Sequence, residues 1–142
     1  MNNLKFRLAS LDTNIFVYHF EGNTEFGQKA KQIFIDLLNN KIRAVTSIIT
    51  LSELLSSPKL DKIAVKETRK LLLEVPNLEI YQVDEVIALK SAEIRRKYGF
   101  QLFDSIQLAT ALKAKAQVFI TNDDKLKTFK EIKILTLKDL SS

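Results

Sequence analysis

The chain has 142 residues, a net charge of +5 and no cysteine. A chain of this length fits one domain, residues 1–142, and buries enough apolar surface to fold without a disulfide or a structural metal. The absence of cysteine excludes a disulfide framework, a thiol nucleophile and a cysteine-based zinc site.

The elements follow from the periodicity of the apolar residues, with Pro58 and Pro76 at boundaries and Gly99 as a helix C-cap. In chain order we predict a strand at 6–11, a helix at 24–39, a strand at 43–45, helices at 47–55 and 59–74, a strand at 78–83, helices at 84–98 and 103–115, and strands at 118–121 and 132–135. Short apolar strands that alternate with helices indicate an α/β fold with a parallel sheet.

No apolar run reaches the roughly 20 residues of a membrane span, and the segment before Asp12 lacks a secretory hydrophobic region. We therefore expect a cytoplasmic protein without a membrane partner. The basic charge suits a polyanion such as nucleic acid, although many proteins without that role are equally basic.

Four acidic residues stand at or near the ends of apolar runs: Asp12, Glu53, Asp104 and Asp123. In parallel sheets the ligand site lies beyond the carboxyl ends of the strands, and Asp12 and Asp123 directly follow strands. We expect Glu53 and Asp104 to reach the same edge from neighbouring helices. Crowded carboxylates need a cation, and Mg²⁺ or Mn²⁺ prefers oxygen ligands, so the pattern predicts metal-dependent cleavage of phosphodiester bonds.

Two of these acids have an alternative role in helix capping. Asp12 could cap a helix that begins at Thr13. Glu53 could complete a capping box with Thr50, unless the helix begins near Ser47 and places Glu53 in its middle.

The other two acids also have structural alternatives. Asp104 could cap the strongly apolar helix at 103–115, and Asp123 could stabilise a turn after its strand. The occurrence of four acids at four element ends favours a shared site over four separate caps.

Polar side chains beside the acids could orient them or hold water: Asn14, Ser105 and Thr121. The single histidine, His19, has no acidic or histidine partner at ligand spacing, so we expect it to be structural. Basic side chains that could contact a phosphate backbone or line the site entrance are Lys59, Lys62, Lys66, Arg69, Lys125, Lys127 and Lys130, although the first four also fit a solvated helix face.

Four segments in order resemble the PIN-domain ribonucleases, and most of all the VapC-type toxins of toxin–antitoxin pairs. They are LDTN at 11–14, the Glu of LSELL at 51–55, the Asp of LFDSIQLATAL at 102–112 and the TND of FITND at 119–123. The resemblance covers nearly the whole chain. It implies a three-layer α/β/α sandwich with a central, mainly parallel sheet, and an endoribonuclease dependent on Mg²⁺ or Mn²⁺.

The resemblance also implies residue roles and partners. The catalytic and metal-binding residues would be Asp12, Glu53, Asp104 and Asp123, supported by Thr13, Asn14, Ser105 and Thr121. The family often has a basic residue where this chain has Asp124, so which of the two neighbouring acids faces the metal stays open. The expected partners are RNA, a second copy of the chain and a small antitoxin.

Two other functions fit parts of the pattern. A metal-dependent phosphatase of the haloacid-dehalogenase kind also uses an Asp after the first strand, but it needs a second acid where this chain has Asn14. A catalytically silent RNA-binding or partner-binding module could keep all four acids as a vestigial site.

Overall fold

The computed structural model describes residues 6–22 and 24–140. Over these residues a five-stranded sheet is formed by β1 (Leu8–Leu11), β2 (Arg43–Ser47), β3 (Leu78–Tyr81), β4 (Val118–Thr121) and β5 (Lys133–Thr136). The strand order is β3-β2-β1-β4-β5, and all four pairings are parallel. The predicted parallel sheet is confirmed.

The helices connect these strands and cover both faces of the sheet. They are α1 (Thr13–Glu21), α2 (Glu25–Leu38), α3 (Ile49–Leu55), α4 (Lys62–Leu73), α5 (Glu85–Tyr98) and α6 (Leu102–Lys113). Short 3-10 helices follow β4 at Asp124–Thr128 and β5 at Leu137–Asp139. Among the residues described, none of the helices is long and apolar enough to cross a membrane.

Two hydrophobic cores lie on opposite faces of the sheet. Successive side chains of a strand point to opposite faces, so Val118 and Ile120 of β4 enter one core and Phe119 enters the other. The first core is completed by α1, α2 and α4, and the second by α5 and α6. This arrangement confirms the three-layer α/β/α sandwich.

The predicted helix start at Ser47 is wrong by two residues. Ser47 is the last residue of β2, where it pairs with Tyr81 of β3. Its hydroxyl then accepts a hydrogen bond of 3.1 Å from the backbone nitrogen of Ile49 as α3 begins. Strand pairing therefore extends β2 beyond Val45, where the apolar run ends.

Strands β1 and β4 lie side by side where the strand order reverses. The chain moves from β1 through β2 to β3 on one side, and returns to place β4 on the other side. In open α/β sheets the crevice at such a reversal, beyond the carboxyl ends of the strands, is the usual ligand site. Asp12 follows β1 at this crevice, and its backbone nitrogen bonds the Ile120 carbonyl of β4 at 2.9 Å.

Candidate active site

Asp12 is buried at the carboxyl end of β1, with 5% of its surface exposed. Its Oδ1 accepts a hydrogen bond of 2.8 Å from the backbone nitrogen of Thr13, and its Oδ2 accepts one of 2.7 Å from the hydroxyl of Thr121. Burial, which is the largest cause, and the negative charges of Asp104 and Glu53 raise the pKa of Asp12, while the hydrogen bonds from Thr121 and Thr13 lower it; the net result is a pKa of about 7. Asp12 is thus both the cap of α1 and an acid whose charge is destabilised by its surroundings.

Glu53 lies in the middle of α3 and is held from α1. The hydroxyl of Thr13 donates a hydrogen bond of 2.6 Å to Oε1 of Glu53. The alternative capping box with Thr50 is wrong, because Thr50 already lies inside α3 and its hydroxyl contacts Thr46 and Gln107. Glu53 therefore faces α1, and its carboxylate is not used as a helix cap.

Asp104 lies in the first turn of α6, since the helix begins at Leu102 and Gln101 occupies the N-cap position. The alternative in which Asp104 caps this helix is therefore wrong. Burial raises the pKa of its carboxyl group, the charges of Asp123 and Glu53 raise it further, and the positive charge of Lys125 lowers it. The pKa of Asp104 is thus affected by the charge of Glu53 on α3 and by that of Asp123 after β4.

Asp123 and Asp124 are neighbours with different surroundings. The backbone nitrogen of Asp123 bonds the hydroxyl of Thr121 at 3.0 Å, and its Oδ1 accepts a 3.0 Å bond from the backbone nitrogen of Lys125. Asp123 therefore does stabilise a turn, yet its charge reaches Asp104. Asp124 is exposed and pairs with Lys138 at 3.3 Å. This difference makes Asp123 the better candidate of the two for the crevice.

The four acids from distant parts of the chain meet at one edge of the sheet. The charges of Asp104 and Glu53 raise the pKa of Asp12, and those of Glu53 and Asp123 raise the pKa of Asp104. The charged forms of Asp12 and Asp104 are therefore destabilised, and a bound cation would compensate them. Their oxygen atoms match the ligand preference of a hard divalent ion.

The side chains are not drawn together into a finished metal site. Within residues 6–22 and 24–140, no group of three or more His, Cys, Asp or Glu side chains is arranged so that it could hold a metal ion. The chemistry of the four donors, which are all carboxylate oxygens, nevertheless fits a divalent ion.

Of the four predicted supporting residues, two bond an acid directly, one bonds the turn after β4 and one bonds neither. Thr13 bonds Glu53 and Thr121 bonds Asp12. Asn14 accepts a 3.2 Å hydrogen bond from the backbone nitrogen of Asn122 and so links α1 to the turn after β4. The hydroxyl of Ser105 instead donates to the Gln101 carbonyl at 3.0 Å, one turn back along its own helix.

One buried polar residue that lies behind the acids was not identified from the sequence. Gln107 is fully buried on α6, and its amide bonds the hydroxyls of Thr13 and Thr50. Its position in an otherwise apolar run, three residues after Asp104, is the signal that could have revealed it, because a buried amide requires partners.

His19 lies in a different part of the molecule. Its ring stacks on Phe34 with centroids 3.9 Å apart, and burial followed by the charge of Lys31 lowers its pKa. Both residues line a largely apolar groove of about 330 Å³ that also includes Leu38 of α2 and Leu71 of α4. None of the four acids lines this groove, which agrees with a structural role for His19.

Comparison with known proteins places this geometry in a family. The PIN domain model matches residues 9–133. A chain in the structure of a toxin–antitoxin complex from Klebsiella pneumoniae is 29% identical, with a TM-score of 0.68 over 91% of this chain and 97% of that chain. No curated protein matches the chain.

Two further solved structures share the fold. A chain of VapBC2 from Rickettsia felis, bound to a DNA fragment from its promoter, is 21% identical with a TM-score of 0.70 over 91% of this chain and 98% of that chain. A chain of DNA-bound VapBC from Salmonella typhimurium is 20% identical with a TM-score of 0.69 over 92% of this chain and 98% of that chain. Because the family model spans most of the 142 residues, the chain belongs to the PIN domain family.

Proposed function

We propose that this protein is a divalent-metal-dependent endoribonuclease and the toxin of a toxin–antitoxin pair. Members of the PIN domain family are generally nucleases that use a divalent metal. The observation that carries the proposal is the convergence of acids at the β1–β4 crevice, where the charges of Glu53 and Asp123 raise the pKa of Asp104, and those of Asp104 and Glu53 raise the pKa of Asp12.

The four carboxylates would hold the metal, and other residues of the chain prepare them for it. A divalent ion bound there would neutralise charge on the scissile phosphate and lower the pKa of a water molecule. Thr121 and Thr13 hold the carboxylates of Asp12 and Glu53 by hydrogen bonds. Because the pKa of Asp12 is raised to about 7, its proton has to leave before it can bind a cation at neutral pH.

RNA is the proposed substrate. The positive charge of Lys125 reaches Asp104, so a cation stands beside the acid cluster where a phosphate would approach. The chain as a whole also carries a net charge of +5, which favours the approach of a polyanion. A phosphate next to the scissile one would compensate the charge of Lys125 while the metal compensates the carboxylates.

A small antitoxin and a second copy of the chain are the proposed protein partners. The matched structures include toxin–antitoxin complexes, and this chain exposes apolar side chains on several helices. They include Ile35 and Leu38 on α2, Ile63, Leu71 and Leu73 on α4, and Val86 and Leu89 on α5. Ile35, Leu38 and Leu71 line one groove, and contiguous exposed apolar surface is typical of protein interfaces.

A catalytically silent PIN-like module that binds RNA or a partner is the second candidate. It is favoured by one observation, namely that no three acidic or histidine side chains in the described residues already form a metal-binding group. Under this alternative the acids would keep their positions without gathering around an ion.

Cleavage of RNA by the purified protein distinguishes the two functions. We expect a single-stranded RNA labelled at its end to be cut internally with Mg²⁺ or Mn²⁺, and to remain intact with EDTA or with Asp104→Asn. RNA that binds to the folded protein but is not cut with either ion would support the silent module.

A further inference from the structure

Gln107 stands at the centre of a buried polar network behind the acid cluster. The network joins α6 to α1, α3 and β2, and its members are Gln107, Thr13, Thr46, Ser47 and Thr50. Thr13 is 8% exposed and the other four are fully buried. A buried polar group destabilises the fold unless its donors and acceptors are hydrogen-bonded. The direction of each hydrogen bond therefore decides whether the network is satisfied.

The orientation of the Gln107 amide is set by the backbone of β2. The backbone nitrogen of Ser47 lies 3.4 Å from Oε1 of Gln107, and a backbone N–H can only donate. The amide oxygen therefore faces Ser47, and the amide NH₂ group faces the opposite way. It donates to the hydroxyl of Thr13 at 3.1 Å and to that of Thr50 at 2.8 Å.

The two hydroxyls that accept from Gln107 must direct their own hydrogens elsewhere. On one branch, Thr50 and Thr46 are 2.7 Å apart and Thr46 donates to the Leu11 carbonyl at 2.9 Å, so the hydrogen of Thr50 points to Thr46. On the other branch, the hydrogen of Thr13 points to Oε1 of Glu53, at 2.6 Å. Each branch ends at an atom that can only accept.

We propose that Gln107 is a positioning residue, which orders the hydroxyl of Thr13 as a donor and thereby holds the carboxylate of Glu53 ready for a divalent ion. This inference rests on the proposed function. Glutamine is suited to the role because its amide supplies two donors on one side and an acceptor on the other.

Different substitutions of Gln107 should affect the network in different ways. Leucine would leave the Ser47 N–H and two hydroxyls without their partner, and the hydrogen of Thr13 could turn to Thr50, which lies 3.3 Å away. Glutamate, of nearly the same shape, would accept where glutamine donates. It would therefore compete with Glu53 for the hydrogen of Thr13.

The experiment measures Mn²⁺ affinity by titration of the metal-free protein and detection of free Mn²⁺ by electron paramagnetic resonance. We expect Gln107→Leu to bind Mn²⁺ about tenfold more weakly than wild type, as is typical when the hydrogen-bond partner of a metal ligand is lost. If the leucine variant does not fold, Gln107→Glu carries the same test, with the same expected direction.

Thr110→Val is the matched control on the same helix. Thr110 is also fully buried, but its hydroxyl donates only to the Ile106 carbonyl of its own helix, at 2.8 Å. We expect this variant to lose stability without a change in Mn²⁺ affinity beyond about twofold, since the hydroxyl that it removes is hydrogen-bonded to the backbone of α6 and not to a member of the network. An equal loss of affinity in the control would show that general destabilisation, and not positioning, weakens the site.

A double-mutant cycle tests whether Gln107 acts through Thr13. Thr13→Val should weaken Mn²⁺ binding while Thr13→Ser restores it, and Gln107→Leu should add less than about twofold to the loss caused by Thr13→Val. Additive losses, or wild-type affinity in the folded Gln107 variants, would overturn the inference. A wild-type protein that binds no Mn²⁺ would instead overturn the proposed function on which it rests.

Discussion

The hydroxyl of Thr121 donates a 2.7 Å hydrogen bond to Oδ2 of Asp12, which lies 109 residues away along the chain. The two residues meet because β1 and β4 are parallel neighbours whose carboxyl ends reach the same edge of the sheet. This bond lowers the pKa of Asp12, while burial and the charges of Asp104 and Glu53 raise it. The protonation state of Asp12 therefore depends on opposing effects. Burial and the neighbouring acids favour the neutral carboxyl group, and the hydroxyl of Thr121 favours the charged one.

Thr121→Val removes that hydroxyl and keeps the shape of the side chain. We expect the pKa of Asp12 to rise above its value of about 7, because a donor to the charged form is lost. Nuclear magnetic resonance of the labelled carboxyl carbon during a pH titration measures the change. Thr121→Ser, which keeps the donor, should titrate as the wild type does, and an unchanged pKa in the valine variant would contradict the assigned bond.

The stability of the metal-free protein should depend on pH through Asp12. Its pKa is raised from 3.8 to about 7 on folding, so the protonated form favours the folded state. The contribution of Asp12 is complete below pH 3.8, falls as the pH rises toward 7 and is lost above it. Between pH 5 and 8 we expect a loss of roughly 2–3 kcal/mol in the free energy of unfolding.

Urea unfolding in EDTA at several pH values measures this loss, with Asp12→Asn as the control. The difference between wild type and Asp12→Asn isolates Asp12 from His19, whose lowered pKa acts in the opposite direction as the pH rises. Two curves that stay parallel from pH 5 to 8 would show that Asp12 titrates near its ordinary pKa.

The neighbouring acids Asp123 and Asp124 should respond differently to the same substitution. Asp123 faces Asp104, so Asp123→Asn should reduce RNA cleavage at least about a hundredfold, the scale of losing one group that stabilises the transition state. Asp124 pairs with Lys138 at the surface, and Asp124→Asn should keep cleavage within about twofold and cost less than about 1 kcal/mol of stability. Equal losses in both variants would contradict the orientation of this turn.

Most of the fold was predictable because it depends on local apolar patterns. The alternation of short strands and amphipathic helices predicted the parallel sheet, and the position of Asp12 and Asp123 after strands predicted that they meet at one edge. The two 3-10 helices were not predicted. They are stabilised by polar contacts, such as that of Asp139 with Thr136, and these leave no apolar period.

The contacts within the candidate site were less predictable than its location. Ser105 stands beside Asp104 in sequence, yet in a helix its hydroxyl reaches the carbonyl four residues earlier and not the acid. Gln107 contributes to the site only because α6 packs against β2 and α3, and that packing cannot be read from the spacing of residues along one helix. Side-chain direction depends on tertiary packing, whereas the positions of strands and helices follow from the apolar period along the chain.

A side chain at position 99 should destabilise the protein because of the backbone conformation there, and not because of a steric clash. It ends α5 with a φ of +76°, and a Cβ atom there would meet nothing within 4 Å. We expect Gly99→Ala to lower the free energy of unfolding by about 1 kcal/mol, because alanine is strained in the left-handed region.

Gly99→Asn is the matched variant for this position. Asparagine tolerates the left-handed region, as Asn40 and Asn77 of this chain do with φ of 59° and 57°. Its cost in urea unfolding should therefore be smaller than that of alanine, and the reverse order would show that a contact, not the backbone, decides this position.

The most direct test of the central claim is the anomalous X-ray scattering of Mn²⁺ in crystals of the protein grown with that ion. We expect an anomalous peak at the β1–β4 crevice, roughly 2.0–2.3 Å from oxygen atoms of at least two of the four acids, Asp12, Glu53, Asp104 and Asp123. A crevice without a peak at saturating Mn²⁺, or a peak only at a site that none of these carboxylates touches, would contradict the account.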